Sequence, residues 1–133
     1  MINVQEFRLG NIVLQKQGTR ILPVRCSAAH WELMARNEVK ELFPVVLNAD
    51  WLGKCGFEEN KKYALLPEAR EFILLLPLPG SAKQELRFWI KNNKECFGRF
   101  LVEGAAASRN LHHLHELQNL YQSLVGEELT VRI

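Results

Sequence analysis

His112, His113 and His115, with Glu116 directly after them, form the densest group of chemistry-bearing side chains in the chain. On a helix, His112 with His115 or Glu116 shares one polar face, and such pairs bind metals. A metal centre needs three or four ligands, and nothing distant in the sequence clearly supplies the rest. His112, His115 and Glu116 are therefore metal candidates only, and no cofactor is implied. The plainer reading is a polar helix face whose histidines hold water or cap neighbours. A second group is basic and aromatic. Arg87, Trp89 and Lys91 alternate onto one strand face, and Lys83 to Arg99 holds five basic and two acidic residues. Such a strand can stack a base and hold phosphates. It can equally protect a sheet edge and stack Arg or Lys on Trp89. Cys26 and His30 are four apart, but a nucleophile needs a depressed pKa and an oriented base, and neither is visible. The chain also lacks a phosphate loop, a dinucleotide fingerprint, a Gly-x-Ser-x-Gly elbow and a His-Glu-x-x-His helix. No catalytic residue emerges, and the chain reads as a non-enzyme.

Elements must hold these groups in place, and composition says that a folded domain can. The chain has 133 residues, 47% apolar and 24% charged, which excludes disordered, collagen-like and coiled-coil classes. Its formal charge is +2, from 17 basic and 15 acidic residues. A nucleic-acid binder relying on bulk charge is more lopsided. Cys26, Cys55 and Cys96 are an odd, widely spaced set, which fits reduced thiols in the cytoplasm better than a disulfide framework or a zinc ribbon. Met1 to Gly10 has no secretory pattern. The longest apolar run, Phe72 to Leu76, has five residues, whereas a membrane helix needs roughly 20. No membrane association is expected.

Along the chain, Leu9–Leu14 reads as a strand, Gln15–Gly18 as a hairpin turn and Arg20–Cys26 as a second strand. Pro23 lacks an N–H and belongs at an edge or a bulge. Ser27–Asn37 fits either a short helix capped by Ser27, with Trp31 and Met34 inward, or a third strand. Asn48–Phe57 reads as one or two helical turns, capped by Asn48 and ended by Gly56, that insert Trp51, Leu52 and Phe57 into a core. A meander follows, with strands Tyr63–Leu66, Glu71–Leu76, Glu85–Lys91 and Cys96–Val102. Phe72 to Leu76 is apolar throughout, as a strand covered on both faces would be. Asn110–Val125 is the strongest helix: Leu111, Leu114, Leu117, Leu120, Tyr121, Leu124 and Val125 share one half of the wheel. Ser108 or Asn110 can start it and Gly126 can end it. Leu129–Ile133 reads as a terminal strand.

Two features of this helix bear on function. Gln118 falls inside the apolar stripe, where an amide must be hydrogen-bonded. It either bonds to the backbone of an adjacent strand or meets a ligand at the helix–sheet seam. Glu116 is the one charged residue from Asn110 to Val125. The neutral face of His112, His115, Asn119, Gln122 and Ser123 is either ordinary polar surface or covered by a partner or a second copy. His115, Gln118, Asn119 and Gln122 are thus partner candidates.

Several blocks resemble a known group. They are Arg8-Leu9-Gly10-Asn11-Ile12-Val13, Pro44 through Phe57, and Leu114-His115-Glu116-Leu117-Gln118-Asn119-Leu120-Tyr121 through Leu129. Together they resemble small uncharacterised proteins of Bacteroidetes genomes, their phages and mobile elements. That family's blocks read like lRiGNyV, PIpLteeWLlkfGF and yVHqLQNLYfaLtGeEL. The chain departs from it at Glu116, where the family often has Gln, and at His113, where an aromatic is usual. The resemblance implies a cytoplasmic bacterial or phage context and a two-part architecture, and it brings no activity.

The expected fold is α+β. A small SH3-like, strand-rich part (residues 1–47) precedes a short helix, an antiparallel meander and the C-terminal helix packed on it (residues 48–133). Leu117, Leu120, Tyr121 and Leu124 should be buried against Phe72, Leu74, Phe88 and Ile90. The SH3-like likeness rests on short β runs and on the resemblance, and implies no function. The expected function is that of a cytoplasmic, non-catalytic adaptor or regulatory protein, phage- or mobile-element-associated, acting through a protein partner. The alternatives are a nucleic-acid module using Arg87, Trp89 and Lys91, or an enzyme of unknown class.

Overall fold

The computed structural model describes residues 7–35, 42–60, 69–80, 82–91 and 95–133. Among the described residues, two antiparallel sheets and three helices make an α+β fold. The first sheet has the order β2-β1-β3, from β1 (Ile12–Gln17), β2 (Arg20–Arg25) and β3 (Leu42–Pro44). β2 is an edge strand, so the missing N–H of Pro23 is tolerated there. The ambiguous stretch is helical: α1 spans Ala28–Ala35, with Ser27 Oγ 2.9 Å from His30 Nδ1 at its start. The side chains expected to point inward, those of Trp31 and Met34, are outside what is described of α1.

The short helix α2 (Ala49–Lys54) forms for the reasons its sequence suggests. Trp51 N–H donates to Asn48 Oδ1 at 2.9 Å, and Asp50 sits in the first turn with Lys54 beside it at 3.1 Å. Both charges complement the helix dipole. Leu52 and Phe57 are buried and Trp51 is half-buried.

The second sheet is a continuous meander, β4-β5-β6-β7-β8. Its strands are β4 (Glu58–Asn60), β5 (Ala69–Leu75), β6 (Gln84–Lys91), β7 (Glu95–Val102) and β8 (Ala105–Ala106). The expected strand Tyr63–Leu66 lies outside the described residues. Glu58–Asn60 carries no β signal of its own, and pairing with Glu71–Ile73 makes it a strand. One correction concerns β5. It is not covered on both faces, since Leu75 is 63% exposed on the outer side. The inner face carries Phe72, Leu86, Phe88, Ile90, Cys96 and Phe100, all in the main core.

The C-terminal helix α3 runs Leu114–Val125, four residues shorter at its start than the periodicity suggests. Residues 111–113 are extended because other backbones claim them. Gly98 and Leu111 exchange two hydrogen bonds, and Leu47 N–H donates to the His112 carbonyl at 3.0 Å. Leu114 N–H then donates to the Val45 carbonyl at 2.9 Å. Neither Ser108 nor Asn110 caps the helix. Ser108 Oγ instead accepts from Phe100 N–H, and the N-cap is His113. Gly126 ends the helix in the left-handed region, with φ at 83°, which favours glycine. Leu117 is buried, and Leu120, Tyr121 and Leu124 pack half-buried onto the cluster that holds Phe72, Phe88 and Ile90.

Leu129–Ile133 is not a strand. It is an extended tail that buries Leu129 and Val131 and donates one backbone bond, Arg132 N–H to the Lys54 carbonyl at 2.9 Å. The main hydrophobic cluster takes Ile12, Val45 and Leu47 from residues 1–47 and Leu86, Phe88 and Leu114 from residues 48–133. Phe7, Val13, Cys26 and Leu42 form a smaller cluster behind the first sheet.

Candidate functional site

The chain itself covers part of the neutral face of α3, at His115 and Asn119, and leaves His112 and Ser123 exposed. His115 is 1% exposed and stacks on Phe7, with ring centroids 4.1 Å apart and planes at 25°. Gln118 is fully buried. Its Oε1 accepts the Ile12 N–H at 2.9 Å, and its amide donates to the Gly10 carbonyl at 3.4 Å. An unmet buried N–H costs roughly 1–3 kcal/mol, so this amide locks the start of β1 onto the helix. Asn119 accepts from the buried Asn11 at 2.9 Å. Arg8 donates to the Gln118 carbonyl and pairs with Glu128. Three of the four partner candidates, His115, Gln118 and Asn119, therefore bind residues 7–12. Gln122 is half-buried and Ser123 exposed.

The metal candidates do not converge. The His112 ring lies 3.4 Å from the Cys96 carbonyl, while His115 stacks on Phe7. Glu116 Oε1 accepts the N–H groups of His112 and His113, at 3.2 and 3.0 Å, and sits 2.9 Å from His113 Nδ1. Burial alone would raise the Glu116 pKa. The His113 ring and the two backbone donors outweigh it and hold the carboxyl below its ordinary value. Among the described residues no three His, Cys, Asp or Glu side chains gather at one point.

The nucleophile candidate Cys26 is not activated. Cys26, Cys55 and Cys96 are buried, and burial pushes their thiols up to about 11, about 12 and about 11. A thiol so raised is almost wholly protonated at neutral pH. His30, four residues from Cys26, uses Nδ1 to accept the Ser27 backbone N–H at 3.1 Å, next to the Ser27 hydroxyl. That is a helix-start arrangement.

The outer face of the meander remains. Register puts Glu71, Ile73 and Leu75 of β5 on the same side as Glu85, Arg87, Trp89 and Lys91 of β6 and as Phe97 and Arg99 of β7. Trp89 and Phe97 are a direct cross-strand pair, 5.7 Å between ring centroids and tilted by 32°. The Arg99 guanidinium lies 6.0 Å from the Trp89 ring centre. Lys91 is exposed at the end of this row.

Arg87 is differently placed. Its guanidinium lies 3.3 Å from Glu71 and 2.7 Å from Glu85, and both carboxylates are about 1% exposed. Its charge is spent inside the sheet face. The structure thus brings Trp89 together with Phe97 and Arg99, while it ties Arg87 to two acids. Phe97 and Glu71 are the members that sequence spacing misses; Arg99 is expected nearby, and Glu85 shares the alternation of Arg87, Trp89 and Lys91. Alternation along each strand carries the signal, but only the register reveals it.

Compared with protein-family models, curated proteins and solved structures, the chain matches none of them. Among the described residues no helix is long and apolar enough to cross a membrane.

Proposed function

We propose that this chain is a small, non-catalytic cytoplasmic binding protein, an adaptor or regulator in a bacterial or phage setting. It meets a protein partner through the outer face of the meander. One observation carries the choice of partner: Arg87 sits between Glu71 and Glu85. With its cation neutralised twice over, the row around Trp89 is of mixed sign, with Glu95 opposite Lys91. An aromatic centre with a mixed rim is the composition of a protein interface. On the helix, which first suggested a partner, His115, Gln118 and Asn119 are already taken by residues 7–12.

A second reading, single-stranded nucleic acid stacked on Trp89 and Phe97, draws on the closeness of that aromatic pair and on Arg99 beside it. Capture from the host lysate separates the two. The wild-type chain is expected to retain a protein after nuclease treatment, and Trp89→Ala to lose it. Retention of nucleic acid that declines steeply with salt, with no protein dependent on Trp89, would replace the protein reading with the nucleic-acid one.

A further inference from the structure

We infer that the partner anchors a lysine or arginine side chain in a cleft at the β4–β6 end of the same outer face; this rests on the protein-partner reading above. The cleft has a volume of about 630 Å³. Ile73 and Leu75 give it an apolar wall, and Glu58, Asn60, Lys83 and Glu85 give it a polar rim. Leu75, 63% exposed, is the largest apolar side chain left open beside it.

Glu85 points to the occupant. Its side chain is 2% exposed, and Oε1 takes the Arg87 donor. Oε2 is buried with no hydrogen-bond donor among the described residues, and the Lys83 ammonium pairs with it at 3.9 Å, too far for a hydrogen bond. On the same face, Glu71 uses Oε1 for Arg87 and Asn60, and its buried Oε2 has no hydrogen-bond donor among the described residues either. A buried carboxylate oxygen without a donor is costly, and an entering N–H removes that cost.

Charge selects among donors. Among the described residues that line the cleft, Glu58, Glu59 and Glu85 outnumber the one cation, Lys83, so the site favours a cation over phosphate. Glu59 is already taken by Arg70, at 2.8 Å. Lysine and arginine have an aliphatic stem below a charged head. The stem fits Ile73 and Leu75, and the head reaches the Glu85 side of the rim.

Titration of the isotopically labelled chain with N-acetyl-lysine methylamide, N-acetyl-arginine methylamide and uncharged N-acetyl-norleucine methylamide tests this by amide chemical shifts. The two cations are expected to shift the amides of Glu58, Asn60, Leu75 and Glu85 saturably, with norleucine at least about fivefold weaker. Glu85→Gln should weaken the cations further, but it also disturbs the Arg87 pair. Glu58→Lys, at an exposed position outside that pair, is therefore the second variant, with an expected loss of at least about fivefold. Equal response to norleucine, or no response of these amides, would overturn the inference. A silent cleft with a Trp89-dependent partner leaves the protein reading standing and removes the anchor. A responsive cleft with no Trp89-dependent partner keeps the cation site and removes that reading.

Discussion

Arg87→Met is expected to destabilise the chain by about 3–5 kcal/mol, the usual cost of breaking a buried ion pair from one side. Arg87 is the bridge between two carboxylates that water hardly reaches. Without it, among the described residues Glu71 keeps the Asn60 amide at 3.4 Å, and Glu85 keeps Lys83 at 3.9 Å. Two buried like charges then share one sheet face. Arg87→Lys should lose less, because an ammonium supplies charge but cannot fork to both acids. The triple variant Arg87→Met, Glu71→Gln, Glu85→Gln should recover more than half of the loss, since it removes the uncompensated charges as well. Urea unfolding at neutral pH measures all three. A loss below about 1 kcal/mol for Arg87→Met, the range of exposed pairs, would show that the triad is solvated.

Gly98→Ala is expected to cost about 3 kcal/mol, the upper end of the usual range for overpacking. A methyl group there would sit 2.5 Å from Cδ1 of Phe88 and closer still to Cγ and Cδ2. Phe88 has no room to move, being fully buried and held edge-on against Phe57 at 5.4 Å. The backbone cannot yield cheaply either. Gly98 faces Phe88 across β6 and β7 and also exchanges both hydrogen bonds with Leu111. The strain should therefore reach the start of α3. Phe88→Leu combined with Gly98→Ala should be less damaging than the sum of the two single changes, since they share one space. Thermal unfolding of the three variants reads this coupling. A Gly98→Ala chain within about 0.5 kcal/mol of wild type, as a surface change would be, would contradict the packing at this crossing.

Local signals were readable wherever they matched the tertiary outcome. Asn48 and Gly56 bound α2, Gly126 ends α3, and Pro23 lies on an edge strand. Glu85–Lys91 and Cys96–Val102 each lie within a strand one residue longer. Readings failed where a distant backbone decides. Leu111 has the right phase for the α3 stripe, yet it pairs with Gly98. Glu58–Asn60 becomes a strand only because β5 offers its edge.

His115 sits on the polar side of the helical wheel but is buried, because Phe7 and residues 8–12 close over that side of the helix. The buried arc is wider than the apolar stripe. The candidate site was half visible for a related reason. Alternation along β6 places Glu85, Arg87, Trp89 and Lys91 together, but Phe97, Arg99 and Glu71 join them through register. Register also reverses the meaning of Arg87, from a cation open to phosphate to one enclosed by acids.

The central claim is that the partner meets the sheet and not the helix. Photo-crosslinking in the host cell tests it most directly, with p-benzoylphenylalanine at position 91 in one variant and at position 123 in another. Both positions are exposed, Lys91 beside the aromatic pair and Ser123 on the helix. The expected result is a protein adduct from position 91 that survives nuclease, with none from position 123. An adduct from position 123 alone, or one from position 91 that nuclease removes, would contradict the claim.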